Sequence, residues 1–152
     1  MARGTGRTVR RGTAFWDSSA LVPLCVHEAN TRRALAPHST YEMVVWWSAP
    51  LEISSALARL GRMKQLSPAE LARARQLAQD LADSWSVIQP SDALRSEAEQ
   101  LVSRYELRAA DALHLAAALV WCQYAPAGRV FLTADQKLRE AAMLSGFDAN
   151  QL

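Results

Sequence analysis

The chain has 152 residues, of which 50% are hydrophobic and 21% are charged. This length suits a single domain that buries roughly two thirds of its unfolded surface. No apolar run approaches the roughly 20 residues that a membrane-spanning helix needs, and the basic N-terminus lacks the apolar segment of a secretory signal. Cys25 and Cys122 show no CxxC or zinc-like spacing, which predicts reduced thiols in a cytoplasmic protein.

The formal net charge of +2 comes from the N-terminal segment, where four arginines and no acids precede Gly12. Without those arginines, 13 basic residues stand against 15 acidic ones, so the rest of the chain is not a basic nucleic-acid-binding domain. We predict a basic, disordered leader over residues 1–13 and one domain over residues 14–152. Contact of the leader with RNA phosphates stays open beside a purely solvated leader.

The first half of the chain alternates apolar segments with helical ones. Residues 13–16 are apolar and end at Asp17, which predicts a buried strand followed by a helix start. The continuously apolar residues 43–47 predict a second strand that is buried on both faces. The other predicted elements are helical segments at 21–24 and 28–35, a turn near 37–39 and a helix from Pro50 to about Gly61.

The second half repeats this alternation. Ser67 and Glu70 form a capping box around Pro68, which predicts a strong helix start. The elements predicted after it are a helix to about 85, strands at 86–89 and 130–132, helices at 91–105 and 108–124, a last helix ending at Gly146, and an edge strand at 147–152. This order indicates an α/β fold with a mainly parallel sheet and helices on both faces.

Four acids fall where such a sheet places its ligands. Asp17 follows the first strand, Asp135 follows the strand at 130–132 behind Thr133, and Glu52 and Asp111 begin helices. Ligands bind at the carboxyl ends of the strands in open α/β sheets. Each acid alone is also explained as a helix cap or dipole partner. If the four converge, their repulsion requires a cation, and oxygen ligands suit Mg²⁺ or Mn²⁺.

Four ordered blocks of the sequence resemble a known family. They are Phe-Trp-Asp-Ser-Ser-Ala-Leu (15–21), Leu-Glu-Ile-Ser-Ser-Ala-Leu-Ala-Arg (51–59), Arg-Ala-Ala-Asp-Ala-Leu-His-Leu-Ala (108–116) and Phe-Leu-Thr-Ala-Asp-Gln-Lys-Leu (131–138). Together they are similar to the PIN-domain family, and most of all to the VapC-like ribonuclease toxins of type II toxin–antitoxin modules. The resemblance covers residues 14 to about 150.

The resemblance implies a three-layer α/β/α sandwich and a metal-dependent endoribonuclease. Asp17, Glu52, Asp111 and Asp135 match the four catalytic acids. Asp17 and Asp111 are the expected direct Mg²⁺ or Mn²⁺ ligands, and Asp135 completes the metal site through water or a second ion, as does Glu52. Thr133 matches the family's Thr-x-Asp, and Ser19 matches the hydroxyl residue two positions after the first acid. A water nucleophile would leave 5′-phosphate and 3′-hydroxyl ends.

Several further side chains are candidates with an open alternative. His114 matches the family's Asp-x-x-His, and it is either catalytic or a core residue that orients a ligand. Arg59 and Arg108 either contact RNA phosphates or belong to a solvated face. Trp46 and Trp47 point to opposite faces of a strand, so both can be core residues, and base stacking is the alternative.

The resemblance also implies partners: a cognate antitoxin, an RNA substrate, a second copy of the chain in a homodimer, and operator DNA bound only through the antitoxin. No membrane partner is expected. The alternative functions are a non-catalytic RNA-binding or regulatory PIN domain and, third, a structure-specific DNA nuclease. The four intact acids favour the enzyme over the regulatory domain, and the small size disfavours the DNA nuclease.

Overall fold

The computed structural model of the chain describes residues 12–30 and 41–150. Strands and helices alternate through most of these ranges. The strands are β1 (Gly12–Trp16), β2 (Tyr41–Trp46), β3 (Ser86–Ile88) and β4 (Val130–Leu132). The helices are α1 (Ser18–Asn30), α2 (Ala49–Arg62), α3 (Pro68–Ala82), α4 (Asp92–Tyr105), α5 (Ala109–Trp121) and α6 (Gln136–Leu144). Within these ranges no helix is long and apolar enough to cross a lipid bilayer.

The four strands form one sheet in the order β3-β2-β1-β4, and every neighbouring pair is parallel. At the end of the central strand, Trp16 lies opposite Val45 of β2 and Leu132 of β4. All four strands therefore end at the same edge of the sheet. The predicted α/β fold with a parallel sheet is confirmed.

Helices cover both faces of the sheet because side chains of the buried central strand alternate between them. Phe15 packs into a core with residues of α4, α5 and α6, and its ring stacks on Phe131 at a centroid distance of 5.4 Å. Ala14 and Trp16 pack into a second core with residues of α1, α2 and α3. Two cores separated by one sheet make the three-layer α/β/α sandwich that the resemblance implied.

Several predicted boundaries change. β1 begins at Gly12, so residues 12 and 13 belong to the strand rather than to the leader, and residues 1–11 lie outside the described part. The helix predicted in two pieces is continuous from Ser18 to Asn30, and its predicted extension to 35 and the turn near 37–39 lie outside the described part. The expected edge strand at 147–152 is reduced to an isolated bridge between Asp148 and Val130.

The two adjacent tryptophans have different environments. β2 ends at Trp46, which is 5% exposed, and Trp47 belongs to the following turn and is 55% exposed. The prediction that both are core residues is therefore wrong for Trp47. Its backbone N–H still donates to the carbonyl of Ile88 at 3.1 Å, so the turn stays attached to the sheet edge while the indole projects away from the core.

The connection between α2 and α3 is tight. The backbone N–H of Lys64 donates to the carbonyl of Gly61 (3.1 Å), and that of Gln65 donates to the carbonyl of Leu60 (3.0 Å). A Cβ at Gly61 would lie 2.8 Å from the Leu71 side chain, so glycine permits α2 to approach α3 closely. The predicted capping box is present at the start of α3, since Ser67 and Glu70 exchange hydrogen bonds.

Candidate active site

The carboxylate of Asp17 ends the central strand and is buried, with 4% of the residue exposed. Its backbone N–H donates to the carbonyl of Leu132 at 3.0 Å. One carboxylate oxygen accepts hydrogen bonds from the hydroxyls of Thr133 (2.6 Å) and Ser19. The other accepts from Ser18 at 3.3 Å. These donors replace the water that burial removes from the charged group.

Thr133 connects Asp17 to the start of α6. Its buried hydroxyl donates to Asp17 and accepts from the backbone N–H of Asp135 at 3.0 Å. Asp135 caps α6, since its Oδ1 accepts from the backbone N–H of Leu138 at 2.8 Å. The guanidinium of Arg139 donates to the carbonyl oxygen of Thr133 at 2.8 Å. Asp17, Thr133 and Asp135 are thus held in one hydrogen-bonded chain.

Glu52 and His114 meet across the sheet edge from opposite helical layers. Glu52, in the first turn of α2, accepts hydrogen bonds from the Ser48 hydroxyl and from Nε2 of His114, each at 2.8 Å. His114 of α5 is 1% exposed, and its Nε2 also lies 3.7 Å from Oδ1 of Asp17. Nδ1 of His114 is buried and has no hydrogen-bond partner among the described residues. The imidazole therefore links the carboxylates of Glu52 and Asp17.

The pKa shifts of His114 and Glu52 both favour the charged form of the pair. Burial by itself lowers the pKa of His114, but the hydrogen bond to Glu52 and the charges of Asp17, Glu52 and Asp111 outweigh it and raise the pKa. Burial by itself raises the pKa of Glu52, but the hydrogen bond and charge of His114 and the hydrogen bonds of Ser48 and Ser18 bring it below its ordinary value. Protonation of this buried imidazole would offset part of the negative charge at this edge.

Asp111 lies in the first turn of α5 and is half-buried. Its pKa is raised by burial first, then by the charges of Asp135 and Asp17, which outweigh the opposing charges of His114 and Arg108. Repulsion of this kind requires the three carboxylates to lie within electrostatic reach of one another. The sheet edge therefore brings together Asp17, Asp111 and Asp135, with Glu52 joined through His114.

The two candidate arginines, Arg59 and Arg108, lie at the margins of the candidate active site. Arg59 is exposed in the last turn of α2, seven residues after Glu52. Arg108 is exposed, immediately precedes α5, and makes no side-chain cap. Neither forms a hydrogen bond with the acids in the described part of the chain, although the charge of Arg108 acts on Asp111.

Sequence reasoning missed two residues that support the site. Ser48 occupies the N-cap position of α2, but its hydroxyl bonds Glu52 instead of capping the backbone. Its place just before Pro50 at a helix start was a usable signal. Arg139, four residues after Asp135, donates a hydrogen bond to the carbonyl of Thr133. No local sequence pattern predicts this contact.

The donor chemistry of this edge fits a hard divalent cation, although no complete cage is formed. Among the described residues, no group of three or more His, Cys, Asp or Glu side chains could hold a metal ion by itself in this arrangement. Mg²⁺ commonly uses only one or two carboxylates and keeps several waters, so it does not need such a cage. The repulsion that raises the pKa of Asp111 is the kind of field that a cation relieves.

Comparisons with known proteins agree with this architecture. The family model of the PIN domain matches residues 14–144. The chain is 30% identical over 138 residues to Ribonuclease VapC45 and to Ribonuclease VapC49, from two strains of Mycobacterium tuberculosis, with 87% of this chain and 90% of each relative covered. The crystal structure of PAE2754 from Pyrobaculum aerophilum shares the fold, with a TM-score of 0.61, 18% identity, and 86% and 85% of the two chains covered.

A three-layer sandwich with acids at the carboxyl ends of its parallel strands defines a PIN-type fold, and the chain belongs to the PIN-domain family. Within that family the chain is similar to the VapC ribonucleases, which confirms the predicted resemblance.

Loss of the Thr133 hydroxyl should destabilise the fold. Thr133→Val keeps the shape but removes a donor to buried Asp17 and an acceptor for Asp135, so we expect a loss of about 1–3 kcal/mol in the free energy of unfolding. Thr13→Val at the exposed start of β1 is the matched control and should stay within about 0.5 kcal/mol. Urea unfolding measures both, and equal losses would contradict the role given to Thr133.

The charge of His114 should make stability depend on pH. Because its pKa is raised on folding, its stabilising effect is present below the unfolded pKa and is lost as pH rises through the folded pKa. His114→Gln should therefore cost more stability at about pH 6 than at about pH 9, measured by urea unfolding with chelator present. Exposed His27→Gln is the control. A His114→Gln cost that does not change with pH would show that the imidazole acts without its charge.

Proposed function

We propose that this chain is a metal-dependent endoribonuclease that acts as the toxin of a toxin–antitoxin pair. The main support is the grouping of three acids at one sheet edge: Thr133 links Asp17 to Asp135, and burial followed by the charges of Asp135 and Asp17 raises the pKa of Asp111. The relatives that match most of the chain are named ribonucleases, which supports RNA as the substrate.

Magnesium or manganese is the proposed cofactor. Asp17 and Asp111 would hold the ion directly, and Asp135 would complete its site, partly through water. When bound, the ion would neutralise a phosphodiester, lower the pKa of a bound water and stabilise the leaving oxygen. Glu52 is proposed as the fourth catalytic acid, held in its charged form by His114.

The protein's own contribution is orientation. Thr133 and Ser19 donate hydrogen bonds to one carboxylate oxygen of Asp17. The other oxygen, Oδ1, lies on the side of His114. Hydrolysis adds the hydroxyl of water to phosphorus, breaks the P–O3′ bond and returns the proton to the 3′ oxygen. The products are a 5′-phosphate and a 3′-hydroxyl, without use of the 2′-hydroxyl. Nothing in this scheme requires a serine, cysteine or histidine nucleophile.

The same proposal includes the partners of a toxin. A cognate antitoxin would hold the enzyme inactive in the cytoplasm, and operator DNA would be bound only through that antitoxin. Two copies of the chain would form a homodimer. The names of the relatives support the toxin assignment, and the acidic edge offers a surface that a basic side chain of an inhibitor could occupy.

Asp111→Asn should abolish cleavage without loss of stability. Removing a proposed ligand should lower the Mg²⁺-dependent rate on total RNA by about 10²-fold or more, because the ion loses a direct contact. Since burial and then repulsion from Asp135 and Asp17 raise the pKa of Asp111, the neutral amide of Asn should leave the metal-free fold at least as stable. Asp80→Asn on the exposed face of α3 is the control.

Cleavage that is equal in wild type and Asp111→Asn with Mn²⁺ present would rule out the enzyme as proposed. RNA binding without any cleavage by wild type would instead support a non-catalytic RNA-binding PIN domain. A preference for DNA over RNA in competition would support the DNA nuclease.

The antitoxin can be sought in the reading frame beside this gene. We expect a small DNA-binding protein that co-purifies with the chain and suppresses RNA cleavage when the two are expressed together. A neighbouring product that neither binds the chain nor suppresses its cleavage would contradict the toxin assignment while leaving the nuclease intact.

A further inference from the structure

We propose that a basic cavity at the α2–α3 connection binds the phosphate backbone of the RNA substrate. The cavity has a volume of about 880 Å³, and its cationic lining residues are Arg62, Lys64 and Arg75. It is separate from the acidic edge that holds Asp17 and Asp111. The identity of the RNA as substrate rests on the proposed function, but the binding itself does not require catalysis.

The positive charge of this cavity is only partly neutralised by its own lining, which has three basic residues and one acid. Its one acid, Glu70, accepts the backbone N–H of Ser67 at 2.7 Å as part of the capping box. This backbone hydrogen bond, and then the one with the Ser67 hydroxyl, lowers the pKa of Glu70. In the described part of the chain, none of the three cations forms an ion pair with a carboxylate. The cavity is therefore a net cationic site with space for a ligand.

Lys64 occupies a backbone conformation that favours glycine. Its φ is +55°, in the left-handed region, at the position just after a helix where glycine usually stands. A lysine is disfavoured there, and the hydrogen bonds of Lys64 and Gln65 to the end of α2 are backbone bonds that glycine would make equally well. The fold therefore does not require the Lys64 side chain, which remains available to bind a ligand.

The candidate active site needs a cationic anchor of this kind. RNA is a polyanion, whereas the sheet edge presents four acids, so most of the affinity for RNA has to come from contacts away from the reacting phosphate. Guanidinium groups are suited to this task because they bind phosphate through two parallel hydrogen bonds. A cavity with two arginines and one lysine matches a phosphate backbone.

Helix α2 connects the cavity to the candidate active site. Arg59 follows Glu52 by seven residues, so it lies on the same face about two turns, or roughly 10 Å, along the axis. Arg62 follows after roughly another turn and lines the cavity. An RNA strand leaving the acidic edge along α2 would therefore meet Arg59 first and the cavity next, a few nucleotides from the cut.

The test measures RNA binding without cleavage. In the Asp111→Asn background with chelator, a short, labelled single-stranded RNA of mixed sequence is titrated by fluorescence anisotropy at several salt concentrations. The triple variant Arg62→Ala, Lys64→Gly, Arg75→Ala should bind about tenfold more weakly or worse. The slope of log affinity against log salt should fall by about 2, since each phosphate contact to a single strand contributes about 0.7.

The matched control removes the same charge elsewhere. Arg73→Ala, Arg95→Ala and Arg104→Ala together change exposed residues on α3 and α4 that do not line the cavity. This variant should retain most of the affinity and slope. Equal losses in the two triple variants would overturn the proposal, because net charge alone would then explain binding. Unchanged RNA binding in the cavity variant would also overturn it.

Lys64→Gly alone separates a structural role from a binding role. Glycine suits the left-handed backbone, so stability in urea should be equal or higher while RNA affinity falls. Lower stability together with unchanged affinity would assign Lys64 to the fold and overturn its part in binding. Should wild type bind RNA through the cavity but fail to cleave it, the cavity proposal stands and the nuclease proposal fails.

Discussion

Burial of one carboxylate at the end of the central strand is the constraint on which the site depends. Asp17 is 4% exposed, and hydroxyls from Ser19 and Thr133, with a longer bond from Ser18, replace the lost water around its carboxylate. Those hydroxyls belong to α1 and to the loop after β4, which reach Asp17 because the parallel strands end at one edge. The geometry of the site is thus a direct product of sheet order, and a strand in another position would leave the charge unsolvated.

The sequence predicts the fold well where a signal is local. Alternating apolar segments, the capping box at Ser67 and the acids after strands indicate an α/β sandwich with its site at one edge, and the similarity of four blocks to the PIN-domain family agrees. The sequence does not predict features that depend on contacts between distant segments. No periodicity shows that Trp47 leaves the core while Trp46 stays in it, because strand β2 ends between them. Likewise, the bond from Arg139 to the Thr133 carbonyl exists only in the folded loop.

Charge is unevenly distributed on this chain, and α2 connects its two extremes. Near its start Glu52 belongs to the acidic edge, and at its end Arg62, with Lys64 two residues further on, lines a basic cavity. His114 moderates the acidic end from the opposite helical layer, since its imidazole contacts Glu52 and lies near Asp17. Although the net charge of the chain is small, its acidic edge and its basic cavity therefore have electrostatic potentials of opposite sign. The acidic edge suits a cation, and the cavity suits a polyanion.

Strand β4 is the last strand in chain order, yet it pairs directly with β1, the first. Thr133 and Asp135 follow it, so a chain still being made on the ribosome has Asp17 exposed to water and none of these partners for it. Synthesis adds about 5–20 residues per second, so several seconds pass between the synthesis of Asp17 and that of Thr133. The acids of the site therefore come together only after β4 and the residues that follow it have been made.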